Sequence, residues 1–513
     1  MKKIILPICL IFSPVLSFSH NIESTQSSNK ITVEVDVNFG QDLGQNFGTF
    51  FEARDVKTGK LLFGAGFPAT YNTRFQNDRY QMQFFIRTQK FKKQHKLSTF
   101  PRPSNMYAQS YLYSINNNLR MAYFQHDDLV FDKKSKSWVD EQTHLRQGSN
   151  NIYTLRGKTL TFQDDKLLYD EKIILDLSES KKNDEEYKFS YYAQGHIFLS
   201  RHSKKNASLI AIPWTPYSES LPSIERAITL NTKRFSLIYS NGQLNSEVVA
   251  CTNTGGIYSF KNKKWKILRN PDGNSYQVYS MITYNNRLLM GQYPSGFLLE
   301  YDGKNIITHQ NWPPVPENAS PSARELQTTA IYRGELFAGV WPWAELWRLD
   351  PDTNKWIAMG RLFKSPSVTM NPIHPYEQEA SASGATRNQL GQRITSMIPF
   401  GDSLLMGTSW KTGENTIDKY KFSLISKSKR DEYGALHRLK MPGSIVGGFV
   451  WKDEPVKLKF VAQGNEMAIW QDGKKIASTS IDPKILKDIP EYEIYLGKGV
   501  FGKFTGQIKI SNA

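Results

Sequence analysis

The sequence of 513 residues is poor in cysteine, and it has no long apolar run after its first twenty residues. Cys9 and Cys251 are the only cysteines, so a disulfide framework is excluded. No segment beyond the N-terminus is long and apolar enough to predict a transmembrane helix. Long helical periodicity of Ala, Leu and Glu is also missing, which argues against an all-α protein.

The apolar N-terminus has the pattern of a secretory signal peptide. Lys2 and Lys3 make its start positive, residues 4–18 are mostly apolar, and small residues precede Ser19 at cleavage spacing. The segment is too short for a membrane anchor. We therefore expect cleavage near Ser19 and secretion to the periplasm or the medium. Cys9 would be removed, so the mature chain would form no internal disulfide.

Motifs that mark several enzyme classes are missing as well. The sequence contains no Gly-rich phosphate loop, no HExxH, no paired CxxC and no Ser nucleophile elbow. The repeated Asp-containing phrase of sialidase-type propellers is not visible. A glycoside hydrolase generally needs two carboxylates, whereas Asp127, Asp128 and Asp164 are adjacent or scattered.

Composition and charge indicate the class of protein and the kind of partner. Aromatic residues make up 13% of the chain, which also has 34 Gly and 24 Pro, and this favours an all-β protein with many turns. The formal net charge of +17 calls for an anionic partner or reflects a Lys-rich soluble surface. For an exported protein, an acidic polysaccharide is the first candidate, before nucleic acid or an anionic surface.

A phrase of strand, polar turn and apolar run recurs between residues 107 and 420. Its clearest copies are residues 279–296, 328–345 and 395–413. The seven apolar runs start at residues 121, 159, 197, 248, 288, 336 and 404. A spacing of about 45 residues is typical of a four-stranded propeller blade. The repeat therefore predicts a seven-bladed β-propeller, with six or eight blades as alternatives.

The flanks differ from the repeats but also alternate as strands. The phrase GNEMAIWQDGKKI (464–476) is typical of a hairpin in lectin-like sandwiches. We expect the two ends to meet as a small β-sandwich or as extra strands that close the ring. The predicted segments are a signal peptide (1–19), a polar linker (20–30), N-terminal strands (31–100), the propeller (101–425) and C-terminal strands (426–513). A long connection, residues 365–391, could overhang a cleft.

Aligning the repeats gathers polar and aromatic residues on one face. His126 falls just beyond the second strand of its blade, at the position taken elsewhere by Tyr293 and Trp341. First strands would begin on the same face, near Tyr187 and Arg234. Such a ring suits β-elimination on a uronate, since Arg can neutralise the carboxylate and His or Tyr can move protons.

Six residues in fixed order support a resemblance to a known family. They are His126 in YFQHDD, His144 in QTHLRQ, Tyr187 in EEYKFS, Arg201 in LSRHS, and Arg234 with Tyr239 in KRFSLIY. In order and spacing they resemble the propeller-fold ulvan lyases of marine bacteria, which cleave sulfated rhamnose–uronate chains by β-elimination. The resemblance implies catalysis by His126 and Tyr187, with substrate binding by His144, Arg201, Arg234 and Tyr239. Tyr191 and Tyr192 are alternatives to Tyr187.

The resemblance also implies which cofactors and partners to expect. The chemistry would need no cofactor, but a structural divalent metal, zinc or calcium, could be held by Cys251, His309 and His374. A small, buried, inert thiol is the alternative for Cys251. We expect an anionic sulfated polysaccharide as partner, no nucleic acid, no membrane span and a monomer. The alternatives are a non-catalytic carbohydrate-binding propeller and a glycoside hydrolase.

Overall fold

A computed structural model gives the structure of this chain. It describes residues 22–23, 29–72, 78–103, 110–122, 128–140, 152–181, 184–271, 277–380, 388–411 and 422–511. Nearly all regular structure in these residues is β-strand, so the all-β prediction is confirmed.

Seven antiparallel sheets follow one another along the middle of the described chain, and we call them meanders 1 to 7. The first three consist of Tyr111–Ile115, Asn118–Ala122, Leu129–Asp132 and Ser137–Asp140 (meander 1), Ile152–Leu155, Lys158–Gln163, Lys166–Tyr169 and Lys172–Asp176 (meander 2), and Glu186–Ala193, His196–His202, Ala207–Pro213 and Ile228–Thr232 (meander 3).

The next four meanders repeat this order of neighbouring strands. They consist of Ile238–Leu244, Glu247–Thr252, Ile257–Lys261 and Lys264–Arg269 (meander 4), Val278–Tyr284, Arg287–Gln292, Leu298–Tyr301 and Ile306–His309 (meander 5), Glu325–Tyr332, Glu335–Trp341, Glu345–Asp350 and Lys355–Arg361 (meander 6), and Arg393–Phe400, Ser403–Ser409 and Leu436–Lys440 (meander 7).

Two N-terminal strands complete these sheets. Lys96–Thr99 pairs with Leu436–Lys440 and supplies the fourth strand of meander 7. Thr70–Asn72 pairs with Val278–Tyr284 at the inner edge of meander 5. Leu436–Lys440 itself lies beyond residue 425, where the sequence predicts the end of the repeats. The connection after Ser409 is longer than those in the other meanders, so an evenly spaced repeat does not predict a strand at Leu436–Lys440.

Tight turns join the first two strands in most meanders. Pairs of consecutive residues with positive φ occupy five of these turns, at Asn116–Asn117, Arg156–Gly157, Gln194–Gly195, Asn285–Asn286 and Arg333–Gly334. Asn and Gly tolerate this backbone region, and turns of this kind match the twist of an antiparallel pair. The turn residues of the sequence therefore set the register of these hairpins.

The remaining strands from both ends of the chain form a sandwich of two sheets. The six-stranded sheet contains Ile22–Glu23, Tyr492–Leu496, Gly48–Asp55, Leu61–Phe67, Gln81–Ile86 and Ser444–Gly448. The five-stranded sheet contains Lys474–Ser480, Glu466–Gln471, Val456–Gln463, Lys30–Asn38 and Gln507–Ile510. Alternate residues such as Val33, Val35, Leu458 and Phe460 enter one apolar core between the sheets.

The outer face of the six-stranded sheet packs on the meanders. Leu61 and Phe85 share an apolar cluster with Ile331 and Leu336 of meander 6. The buried Arg87 lies nearby and pairs with three carboxylates. They are those of Glu335 at 3.1 Å, Asp350 at 2.7 Å and Asp352 at 2.5 Å. Both apolar and ionic contacts thus hold the sandwich against meander 6, and its five-stranded sheet faces away.

Helices are few and short in the described residues. They are the 3-10 turn Ile224–Arg226 and the α-helices Pro375–Ala380, Lys427–Arg430 and Lys484–Lys487. None of the described helices has the length and apolar character needed to cross a membrane.

Meanders 3 to 7 contact their neighbours mainly through their first strands, as meander 7 does with meander 1. Side-chain or backbone hydrogen bonds join Asn241 to Ser190, Thr283 to Gln243, Thr328 to Ile394, and Leu112 to Ser396. Gly291 of meander 5 lies against the backbone of Leu326, where a Cβ would come within 2.3 Å of the carbonyl oxygen. The bond from Leu112 to Ser396 brings meander 7 back to meander 1.

Candidate functional site

A β-bulge recurs in the first strand of meanders 3 to 7. In each strand one residue is skipped by the pairing register, and these residues are Ser190, Tyr239, Tyr279, Gln327 and Thr395. A bulge leaves its extra residue out of the ladder and turns its side chain away from the regular alternation. Two of the five are tyrosines, in meanders 4 and 5.

The two bulge tyrosines begin a row of aromatic side chains, which we call the aromatic ledge: Tyr239, Tyr279, Tyr293 and Trp341. Ring centroids are 5.1 Å apart between Tyr239 and Tyr279, 6.0 Å between Tyr279 and Tyr293, and 6.2 Å between Tyr293 and Trp341. Tyr239 and Tyr293 are partly exposed, whereas Tyr279 and Trp341 are buried. The ledge therefore offers two accessible rings on a buried aromatic base.

Lys411 of meander 7 reaches across this ledge. Its Nζ donates a hydrogen bond of 3.1 Å to the phenolic oxygen of Tyr293. The same atom lies 4.7 Å from the ring centre of Tyr293 and 4.5 Å from that of Trp341. Within the residues that the structure describes, Lys411 forms no ion pair. The ammonium is thus held by two aromatic faces and a phenolic oxygen.

A buried ion pair supports Tyr279 from below. Arg393 Nη2 lies 2.7 Å from Glu325 Oε2, and both side chains are almost fully enclosed. The Arg393 guanidinium also lies 5.6 Å from the ring centre of Tyr279 and donates to the backbone oxygen of Lys411 at 2.5 Å. Burial raises the pKa of Tyr279, and the nearby Glu325 charge adds to this rise. Tyr279 therefore stays a neutral phenol.

The described part of the long connection braces the far end of the ledge. His374 lies with its ring 4.9 Å from that of Trp343, two residues after Trp341. Burial, followed by the Arg361 charge, lowers the pKa of His374 to about 3. Glu377 accepts backbone hydrogen bonds from Asn388 and from Leu390. Residues 381–387 of the predicted overhanging loop lie outside the described residues.

Two predicted site residues, His126 and His144, also lie outside the described residues. Tyr187 and Arg201 are directly opposite each other on the first two strands of meander 3. Tyr187 is 6% exposed and belongs to an apolar cluster. Arg201 is partly exposed, and its Nε lies 4.0 Å from Glu185 Oε1. Tyr191 and Tyr192, the alternatives to Tyr187, are buried in the same cluster.

Arg234 and Tyr239 occupy different environments although they are close in sequence. Arg234 is exposed, and its guanidinium lies 4.4 Å from the ring centre of Phe235. Tyr239 belongs to the aromatic ledge and interacts with the phenol of Tyr279. Tyr239 therefore lies beside Tyr279, whereas Arg234 lies over Phe235.

The three predicted metal ligands lie in different surroundings. Cys251 is buried in an apolar cluster, His309 bonds Glu300 at 2.9 Å, and His374 is enclosed beside Trp343. Among the described residues, no group of three or more His, Cys, Asp or Glu side chains could hold a metal. The three residues have separate surroundings because they belong to meander 4, to the outer strand of meander 5 and to the long connection.

Sequence reasoning missed Tyr279, Glu325, Arg393 and Lys411. The repeat alignment contained a signal for one of them, because Tyr239-Ser240 and Tyr279-Ser280 occupy equal places before their turns. Arg393 and Lys411 flank the hairpin of meander 7 without any local pattern. Their importance follows from contacts with meanders 5 and 6, which no spacing along the chain reveals.

Comparison with known proteins gives no functional relative. No family model matches the chain, and no curated protein matches it. Similar solved structures include the β-propeller domain of Myceliophteria thermophila Cps50 (Swd1). The two are 8% identical in sequence, the match covers 61% of this chain and 96% of that chain, and the TM-score is 0.34.

Two further structures are similar at the same low level. YCF48 bound to D1 peptide is 9% identical in sequence, the match covers 48% of this chain and 91% of that chain, and the TM-score is 0.24. The glutaminyl cyclase of Myxococcus xanthus is 12% identical in sequence, the match covers 49% of this chain and 88% of that chain, and the TM-score is 0.21. Similarity at this level carries neither a function nor a site over to the present chain.

Proposed function

We propose that the seven meanders are the blades of a β-propeller and that the chain is a secreted polysaccharide lyase. Contacts between meanders support the ring, because first strands link meanders 3 to 7 in succession and join meander 7 to meander 1, and shared apolar clusters join meander 2 to meanders 1 and 3. Each four-stranded sheet needs its neighbours to cover its faces, and a ring provides this.

The aromatic ledge with Lys411 is the observation that supports an acidic polysaccharide as the substrate. An acidic sugar chain needs a cation for its carboxylate or sulfate and an apolar surface for its ring faces. Lys411 supplies the cation, while Tyr239 and Tyr293 supply partly exposed rings. Glu325 adds no repulsion, since Arg393 neutralises it. A uronate-containing, sulfated polysaccharide of the ulvan type fits this combination.

The proposed reaction is a β-elimination. A base removes the proton from the carbon next to the uronate carboxyl, the bond to the 4-linked oxygen breaks, and a carbon–carbon double bond forms. A general acid returns a proton to the leaving oxygen. His126 and Tyr187 are the groups we propose for these two proton transfers. Arg201, opposite Tyr187, and Arg234 would bind charged groups of the sugar, with His144 assisting.

Ultraviolet absorbance of the unsaturated uronate during incubation with ulvan tests this proposal. A lyase produces a steady rise in absorbance, whereas a hydrolase gives saturated products and a flat trace. Alginate and polyglucuronate should be tested in parallel, because they contain uronate but no sulfate. Flat traces with all three polymers would contradict the lyase.

A non-catalytic carbohydrate-binding propeller is the second candidate. The deep packing of Tyr187 in an apolar cluster favours it, since a general acid must reach the substrate. This candidate predicts retention of the protein by ulvan with no change in polymer length. The length of the ulvan polymer, measured by size-exclusion chromatography, distinguishes the two functions.

A further inference from the structure

The outer face of the five-stranded sandwich sheet is open and forms a trough away from the aromatic ledge. Alternate residues of Val456–Gln463 enter the core, which leaves Lys457, Lys459 and Val461 on the other face. Residues from three neighbouring strands line a depression of about 630 Å³ on this face. The trough is therefore built on regular strands, which hold its side chains in fixed positions.

Strand pairing places a row of small residues along the floor of the trough. Ala468 lies opposite Val461, and Val461 lies opposite Thr32. This row crosses three strands at about 4.8 Å each, so the floor is roughly 10 Å long. A floor of small side chains between larger neighbours leaves a groove that runs across the strands.

The wall on one side of the floor is aromatic and cationic. Trp470 lies opposite both Lys475 and Lys459, its partners on the two adjacent strands. The Lys475 ammonium lies 5.2 Å from the ring centre of Trp470. Trp470 is only partly buried, so one aromatic surface at the trough is accessible to solvent. A flat ring beside ammonium groups is suited to a charged sugar.

Charge on this face is positive overall. Lys459 pairs with Glu34 at 2.6 Å, and Lys475 pairs with Glu466 at 2.7 Å. Lys30 and Lys457 are exposed and make no ion pair with any described residue. The carboxylates at the trough are thus neutralised, and two cations are left over at its margins. This balance would attract an anionic chain and repel few of its charges.

We propose that this trough is a second binding site for an acidic polysaccharide, separate from the aromatic ledge. It would hold the polymer on Trp470 and attract its carboxylate or sulfate groups through Lys30 and Lys457. The choice of an acidic polymer rests on the proposed function, but the binding itself requires no cleavage. A second contact of this kind keeps a long substrate near the protein between encounters with the first site.

Affinity electrophoresis of the full mature chain in gels that contain ulvan tests the trough. The measurements use a Lys411→Ala background, so that the ledge contributes less to retention. Trp470→Ala and the double variant Lys30→Glu/Lys457→Glu should each raise the apparent Kd about tenfold. Lys355→Glu, an exposed lysine on meander 6, is the matched control and should stay within about twofold. Thermal unfolding of each variant checks the fold.

Unchanged retention of both trough variants would overturn the proposal, as would equal retention of the parent protein by a neutral β-glucan. The lyase assay is read separately, on the unsubstituted protein with ulvan, alginate and polyglucuronate. Reduced retention without any unsaturated product would keep the trough and refute the lyase. Product formation together with unchanged retention would keep the lyase and refute the trough.

Discussion

Lys411 and Tyr293 are 118 residues apart in the chain, yet the lysine amine donates a hydrogen bond of 3.1 Å to the tyrosine phenol. Lys411 follows the second strand of meander 7, and Tyr293 follows the second strand of meander 5. Trp341, at the end of the second strand of meander 6, contacts both side chains. One side chain therefore connects three consecutive meanders at a common rim.

Replacement of Lys411 by Ala should weaken binding of ulvan about tenfold. The ammonium is held over two aromatic faces, and a hydrogen bond between charged groups contributes about 1.5–3 kcal/mol, of which about 1.4 kcal/mol corresponds to a tenfold change in Kd. Isothermal titration with ulvan fragments gives the Kd directly. Lys355→Ala serves as the control on an exposed strand, and equal affinities of the two variants would contradict the site.

Replacement of Tyr187 by Phe should lower the rate of unsaturated uronate formation by about 10²-fold or more. The change removes only the phenolic hydroxyl, and a general acid contributes about 10²–10⁴ to rate. Tyr284→Phe is the control, since the Tyr284 hydroxyl donates to the Gly334 carbonyl at 3.3 Å in the interior and has no proposed role in catalysis. A normal rate in Tyr187→Phe would remove that residue from the mechanism.

Replacement of Glu325 by Gln should destabilise the protein by about 3–5 kcal/mol, because Arg393 would keep a buried charge without a partner. Urea unfolding followed by tryptophan fluorescence measures the change. The double variant Glu325→Gln/Arg393→Met should recover part of the loss. Asp170→Asn breaks the exposed pair with Lys158 and should cost less than about 1 kcal/mol. Equal losses in the two single variants would refute the interpretation.

Asp402 should contribute stability that disappears in acid. Burial alone would raise its pKa, but hydrogen bonds from Lys440, Ser403 and Arg438 outweigh burial and lower the pKa to about 2. The folded pKa is thus below the ordinary value of 3.8. A carboxyl of this kind stabilises the fold above pH 4 and loses its contribution as pH falls towards 2.

Asp402→Asn tests this dependence on pH. The variant should be less stable than the parent by about 1–2 kcal/mol at pH 6, and the difference should shrink steadily below pH 4. Urea unfolding of both proteins across this range gives the difference in free energy. A difference that is constant with pH would show that the aspartate acts through packing and not through its charge.

Much of the strand order could be predicted from the sequence. Alternating apolar residues and turns such as Asn285-Asn286 identify the hairpins, because each depends only on near neighbours. The DG hairpin of residues 464–476 is likewise present, as the strands Glu466–Gln471 and Lys474–Ser480. The fourth strand of meander 7 was not predictable, since Lys96–Thr99 is separated from its partner by more than 300 residues.

The site was predicted less completely than the strands. Aligning the repeats predicts that a first strand begins near Tyr187, and in the structure Tyr187 is the second residue of Glu186–Ala193, opposite Arg201 of the next strand. The alternating pattern does not reveal the bulge at Tyr239, and this bulge changes which way the side chain points. One extra residue in a strand is invisible in a period of two, yet it reverses the face of every residue that follows.

The sequence by itself determined an all-β chain with repeated hairpins, few cysteines and a strong positive charge, because these properties depend on composition and on local pattern. The tertiary structure decided that Tyr279, Tyr293, Trp341 and Lys411 form one surface, and that Glu325 is neutralised by Arg393. Contacts of this kind depend on how separate sheets pack. Packing brings together residues that are far apart in the sequence, and no local sequence pattern predicts which of them will meet.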